Sequence, residues 1–257
     1  MGRIGSKDLA FFTMGGTEYA GDLISWDFDA EVILKSCKAF NARHDSQAEV
    51  KRRLDFSAEK KRRSAGGVCQ VCKLISALTL GTGFDYKSRF TGATFSVNTV
   101  SQRSDAGGDI FQNHQAEATN FSGSFTVMVN DNETNTILAL FTGVEAGLRK
   151  TLTFTDGAGS LQVPVFINTA KKSGSDGGLT EITFGFMGDG TPVSSGGTGT
   201  LFALALTGSA DLTYVHDDSV DHIEGNALIS TGEITIARDE IQKEKYSFLG
   251  LGDPAIT

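Results

Sequence analysis

The chain has 257 residues and a mass of 27.3 kDa, enough to bury a substantial core without a metal or disulfide staple. Its formal net charge of −8 and pI near 5.0 exclude a general nucleic-acid binder, which needs a basic surface against phosphate. Three cysteines do not make a disulfide framework, so folding in a reducing cytoplasm is expected. With 31 glycines, 3 prolines and 18 phenylalanines the composition suits a turn-rich β protein. The short apolar cluster Leu9 to Phe12 is less than a secretory segment needs, and no run approaches the roughly 20 apolar residues of a membrane span.

In chain order, Glu18 to Leu34 alternates Ile24, Trp26 and Phe28 against Leu23, Ser25 and Asp27, the period of a strand. The stretch on to Glu49 is an insertion. Val50 to Arg63 has the Lys, Arg and Glu content of a helix, but Leu54, Phe56 and Ala58 alternate with Asp55, Ser57 and Glu59, so it is assigned as strand. Val68 to Leu80 carries Val71, Leu74, Ile75 and Leu78 at helical spacing before Gly81, which predicts a first helix. Phe84 to Arg89 and Ala93 to Gln102 follow as strands, and Arg103 to Ala118 as a polar loop. Ser122 to Val129 is strand, and a second helix is predicted from the Asn130 to Asn132 cap candidates to about Glu145. Leu161 to Thr169 and Thr180 to Met187 are strands, and Ser194 to Gly199 a flexible loop. Leu201 to Leu206, Ala210 to Val215 and Ile229 to Ala237 are assigned as strands, and the tail from Asp239 as a short charged helix with a loose end.

Much of this order recurs. Trp26 and Phe28 return as Phe95 and Val97, Gln47-Ala48-Glu49 as Gln115-Ala116-Glu117, Phe56 as Phe125, and the Val71 to Leu78 set as Ile137, Leu140, Phe141 and Val144, all at about 68 residues. The expected architecture is a mainly β sandwich or small barrel with one or two short flanking helices and internally repeated strand-strand-helix units. The units run from about 18–90 and 91–156, with a degenerate third at 160–257, inside one domain spanning 1–257.

Few residues carry chemistry. Cys69 and Cys72 form a C-x-x-C inside the predicted helix, but Cys37 and His44, the nearby candidates for completing a zinc site, have unlike spacing; small packing residues are the better reading, and no metal or cofactor is expected. His216, Asp217, Asp218, Asp221, His222 and Glu224 have the donor types of an ion site without calcium-loop spacing, against a solvated acidic loop. Lys51, Arg52, Arg53, Lys60, Lys61, Arg62 and Arg63 place seven basic residues in thirteen positions of an acidic chain. Contact with the acidic surface of a neighbouring copy is the best use of such a patch, with a solvated face as the alternative and nucleic-acid contact a distant third, because no stacking aromatic but Phe56 interleaves it. His44 in the first insertion and Phe248 and Leu249 near the end complete the candidate subunit contacts. Phosphate-binding loops, dinucleotide fingerprints, nucleophile elbows and zinc-protease motifs are missing, which argues for a non-enzymatic role.

Tyr19 to Trp26, the helical set before Gly81, Phe121 to Val127, Val163 to Ile167 and the closing Ile234-Thr235-Ile236 together give a pattern that resembles the major tail tube proteins of long-tailed bacteriophages. The resemblance is loose and covers most of the chain. It implies a virion protein, made in the host cytoplasm, whose copies stack as rings around a channel for DNA. The channel lining is then acidic, so that DNA passes without specific binding. The implied partners are other copies of the chain and other tail proteins, with no membrane. A single domain implies six copies per ring and a full duplication three, and six is the expectation. A neck or tail-terminator ring of the same fold and a monomeric ion- or carbohydrate-binding β-sandwich are the alternatives.

Overall fold

The computed structural model describes residues 11–37, 46–64, 69–70, 75–81, 89–104, 112, 114–129, 149–174, 180–195, 201–206, 212–217 and 222–256. Almost everything described is antiparallel strand: β1 (Phe11–Met14), β2 (Thr17–Glu18), β3 (Leu23–Cys37), β4 (Ser46–Lys61), β5 (Ala77–Leu80), β6 (Phe90–Arg103), β7 (His114–Val129), β8 (Arg149–Asp156), β9 (Gly159–Ser173), β10 (Thr180–Gly188), β11 (Val193–Ser195), β12 (Leu212–Asp217), β13 (His222–Ala237) and β14 (Lys243–Ile256). One helix, α1 (Leu201–Leu206), is the only α-helix among the described residues.

The strands join into a single branched sheet. Its main path runs β3, β4, β14, β13, β6, β7, β10, β9, β8, β5. The branch arises at β13, which pairs β14 along one edge, while its other edge pairs first β12, over His222 to Ala227, and then β6, over Thr231 to Ala237. β12 continues the branch to β1 and β2.

Alternation explains which way each strand faces. Phe90, Ala93, Phe95 and Val97 of β6, Phe121, Phe125, Val127 and Val129 of β7, and Ile182, Phe184 and Phe186 of β10 point into one continuous core. The sheet curls far enough for β6 to face β8, with Phe95 and Phe154 ring centroids 5.0 Å apart. In the other half β3 faces β12 in the same way, Phe28 lying 5.0 Å from His216. The mainly β, sandwich-or-small-barrel expectation holds.

Several local expectations do not. The end of the predicted first helix is β5, where Leu78 and Leu80 alternate inward and pair β8; residues 71–74 lie outside the described set. The spacing of Ile75 and Leu78 suits a helix face, but so does any short apolar run. Leu201 to Leu206 is helix, because an unbroken apolar run rich in Leu and Ala forms a buried helix readily and Ala205 packs over Gly232. The predicted charged tail helix is β14, and its strand period is disguised by a buried glutamate, Glu244, in the same inward row as Tyr246 and Phe248. The polar loop ends earlier than expected, at His114. The second predicted helix and most of Phe84 to Arg89 lie outside the described residues.

Two glycines permit close strand contact. A Cβ on Gly250 of β14 would lie 2.4 Å from the Leu54 carbonyl oxygen of β4, and one on Gly188 of β10 would lie 3.1 Å from the Phe121 carbonyl oxygen of β7. Gly250→Ala is therefore expected to cost about 2–3 kcal/mol in urea unfolding, whereas Gly174→Ala, whose nearest neighbour would be 3.5 Å away, is expected to be near neutral.

Candidate assembly interface

The basic run divides between interior and surface, because β4 alternates. Arg52 is exposed, and Lys51, Arg53, Lys61 and Arg63 are half-buried. Arg53 pairs with Asp55 at 2.8 Å and Glu31 at 3.5 Å, and Arg63 pairs with Asp22. Lys60 and Arg62, each only 6% exposed, point inward. Phe248 is likewise a core residue, its ring stacked on Phe56 at 4.4 Å, while Leu249 is half-buried. These positions correct the surface assignment of Lys60, Arg62 and Phe248. His44 lies outside the described residues.

Lys60 and Arg62 belong to a buried ionic network that ties the ends of β4, β8 and β14 together. The Arg62 guanidinium donates through Nε to Asp156 Oδ2 at 2.8 Å and through Nη1 to Glu244 Oε1 at 2.5 Å. Lys60 Nζ lies 2.7 Å from Glu244 Oε2 and 5.0 Å from the Tyr19 ring centroid. The Tyr246 hydroxyl donates to Glu244 Oε2 at 2.9 Å. Asp156 in turn accepts from the backbone amides of Ala158 and Gly159, which shape the β8–β9 turn. Burial by itself opposes ionisation of Glu244, but the charges of Lys60 and then Arg62, with their hydrogen bonds, outweigh it and hold the carboxyl below its ordinary range. Burial, reinforced by the Glu244 charge, pushes the Tyr246 phenol well above its ordinary value.

The His216 to Glu224 cluster splits across a hairpin. His216 is buried and packs on Trp26 at 4.7 Å and Phe28 at 5.0 Å, whereas Asp217, His222 and Glu224 lie on the opposite, outer side, His222 being 3.5 Å from Asp217 and 3.9 Å from Glu224. Asp218 and Asp221 lie outside the described residues, and no group of three metal-ligating side chains occurs among those described. Cys69, half-buried and unpaired by any disulfide, forms a single bridge with Arg63; Cys72 lies outside the described residues.

Among the described residues, the surfaces left open are strand edges. β3, 15 residues long, pairs only β4, and no described strand borders its other edge. Its outer row is acidic, with Asp27, Asp29 and Glu31 all exposed. Its inner row covers the core incompletely: Trp26 and Phe28 are half-buried, and Ile24 and Val32 are 37% and 49% exposed. Asp29 stands directly across from Asp55, and both line, with Asp27, a shallow cavity of about 220 Å³. Burial raises the Asp55 carboxyl, opposed by Arg53 and His114 and reinforced by Asp29 and Glu31.

The second open edge belongs to β9. β8 pairs it only as far as Phe166, so beyond that point one edge carries no described partner. Here Asn168, Thr169, Lys171, Lys172 and Ser173 are exposed. In sequence this lysine pair carries no signal, because two adjacent cations on a long strand look like ordinary solvated residues. The acids at every second position of β3 were a usable signal.

No protein-family profile matches the chain, and no curated protein does. Among solved structures, it is similar to a chain of the virion of a native gene transfer agent particle at 13% identity and TM-score 0.35, over 46% of this chain and 95% of that one. It is also similar to a chain of the tail of an empty gene transfer agent particle with C6 symmetry at 16% identity and TM-score 0.38, over 49% of this chain and 98% of that one.

Because Glu244 has a lowered pKa in the folded state, its stabilising effect is complete above the unfolded carboxylate range, about pH 4–5, and is lost as pH falls through the folded value. Glu244→Gln takes the buried carboxylate from Lys60, leaves Arg62 with Asp156 alone, and is expected to cost about 3–5 kcal/mol at pH 7. The gap to wild type narrows on acidification, measured by urea unfolding at pH 7 and pH 4.

Proposed function

We propose that this protein is a structural virion component whose copies associate through strand edges into stacked rings, forming the tail tube through which DNA passes. The observation that carries this reading is the long open edge of β3, with partly exposed apolar side chains on its inner row and three acids on its outer row. A strand of 15 residues with no described partner on one side is a pairing template, and folded monomers normally shorten or cover such edges. A second open edge on β9, with lysines in place of acids, supplies a complementary surface.

The chain's charge supports the same reading. A net charge of −8 leaves acidic surface for a lumen from which DNA is repelled. The described part of the basic run adds no DNA-binding stripe, since two of its cations are consumed inside the core. The contact between rings that the sequence assigned to Cys37 to Glu49 falls at the paired ends of β3 and β4 and on residues outside those described; Lys51, Arg52, Arg53, Lys61, Arg63 and Leu249 remain candidate contacts.

Negative-stain electron microscopy over a concentration series tests the proposal, with hollow tubes or stacked rings as the expected result. Single rings that never stack favour a neck or terminator role, and monomers at every concentration count against assembly. The double variant Asp27→Lys with Asp29→Lys is expected to raise the concentration needed for assembly at least about tenfold. Its stability should stay within about 0.5 kcal/mol of wild type, because both residues are exposed.

A further inference from the structure

The strand registers show that the two halves of the sheet are built alike. In the β3–β4 hairpin Ser25 pairs Glu59, and in the β6–β7 hairpin Gly92 pairs Thr126, a shift of 67 on both strands. Both irregularities recur at that shift: Leu23/Ser25 matches Phe90/Gly92, and Ile33/Leu34 matches Val100/Ser101. The β9–β10 hairpin relates in the same way to β13–β14, not to β3–β4. Thr169 pairs Gly185 and Thr231 pairs Ser247, a shift of 62, and the irregularity beside each pair also coincides. With the same shift Lys150–Val165 matches Leu212–Ala227, and Val193–Gln162 matches Ala255–Glu224.

The correspondence extends to the outermost strands and to the side chains. Leu80–Leu152 matches Met14–Tyr214, and Gly81 and Gly15, which follow those strands, both have positive φ, at 68° and 58°. Gly81 and Gly15 each donate to a β8 or β12 carbonyl at the matching position, Thr151 and Thr213, both at 2.8 Å. Phe184, Phe186 and Gly188 stand where Tyr246, Phe248 and Gly250 stand in the other half. The segments Ile137 to Gly143 (ILALFTG) and Phe202 to Gly208 (FALALTG) also read alike in sequence.

The two halves meet where β13 pairs β6, with Glu233 opposite Ser96. The counterpart of β6 is β3, and the counterpart of the pairing half of β13 is the end of β9. These are the two open edges. Transferring the register places Thr169 opposite Glu31, Lys171 opposite Asp29 and Ser173 opposite Asp27. Lys171 then faces Asp29 directly and the other two acids diagonally, within reach of a lysine side chain.

We propose that the chain is two copies of one six-stranded unit, residues 77–188 being inserted into a unit formed by 11–61 and 212–256. A second copy of the chain adds its β3 to the β9 edge in the register that joins the two halves within one chain. Units then alternate around a head-to-tail ring, so a ring of six units contains three chains instead of the six expected from sequence. The count of six units rests on the tail-tube reading.

The test is made on the full chain with Cys37, Cys69 and Cys72 changed to Ser. Asp29→Cys and Lys171→Cys are introduced together, and a short bismaleimide is added to assembled rings; Asp29→Cys with Gln162→Cys is the control, since Gln162 lies where β8 and β11 already pair β9. The expected result is linkage between chains in the first variant alone, with native mass spectrometry giving closed rings of three 27.3 kDa chains. Rings of six chains, or rings of three in which the first pair fails to link, overturn this inference and leave the tail-tube reading standing. Failure to form rings at any concentration overturns both.

Discussion

The fold depends on β13 serving two partners along one edge. Its first half completes a β12–β13–β14 sheet, and its second half hands the same edge to β6, so the strand pairing between the halves runs through this strand. The irregularities at Glu224/Asn226 and Ile229/Thr231 bend the strand on either side of the handover. Between them Ala227, Leu228 and Ile229 are all buried in succession, a break in alternation that means both faces of the strand are covered there. A strand that changes partners midway cannot slip in register without turning two sets of core residues outward.

The buried ionic network makes sense against this frame. By register, Lys60 opposite Glu244 occupies the place that Val127 opposite Ile182 holds in the other half. An apolar pair suffices at that place, so the ions are not needed simply to fill the core. Burying charge gains little net stability over a well-packed apolar pair, but it imposes a strong penalty on any mispairing that separates the partners. Two similar hairpins in one chain risk exchanging places, and a charged β4–β14 seam beside an apolar β7–β10 seam makes each exchange costly. Arg62 then reaches Asp156 on β8, which couples the correct placement of the two halves to the same network.

The sequence showed the strand class, because Trp26, Phe28, Leu54 and Phe56 alternate cleanly, but it set Trp26 against Phe95 and Phe56 against Phe125, two residues away from the shift of 67 that relates the two hairpin registers. For the rest it followed chain order, which the proposed split unit does not. β9 and β10 look like another copy of β3 and β4 at nearly the same spacing, yet their pairing irregularity belongs to the β13–β14 pattern, and no linear scan reveals a unit split across an insertion. Lys60, Arg62 and Glu244 misled for a different reason. Charged residues on a strand are read as outward-facing, and only the three-dimensional meeting of β4, β8 and β14 supplies the partners that allow them inside. The candidate edges were half legible: the acids of β3 repeat every second residue, while the lysines of β9 gain meaning only opposite them.

In the proposed assembly an open edge must also avoid indiscriminate pairing, and the charge pattern offers a way to do both. Asp27, Asp29 and Glu31 repel another β3 edge, and Lys171 and Lys172 repel another β9 edge, so self-pairing of like edges is disfavoured. Only the unlike pair relieves both, which makes the contact head-to-tail and not two-fold. A head-to-tail contact neither closes as a dimer nor needs a second kind of interface, and whether it ends as a ring or runs on as a filament is decided by the rotation it imposes. The internal β13–β6 junction already sets that rotation once within each chain, before any second copy arrives. In the proposed ring each chain thus enters with half of its unit-to-unit contacts already formed within one chain, which lowers the entropic cost of ordering the ring compared with single units joining one at a time.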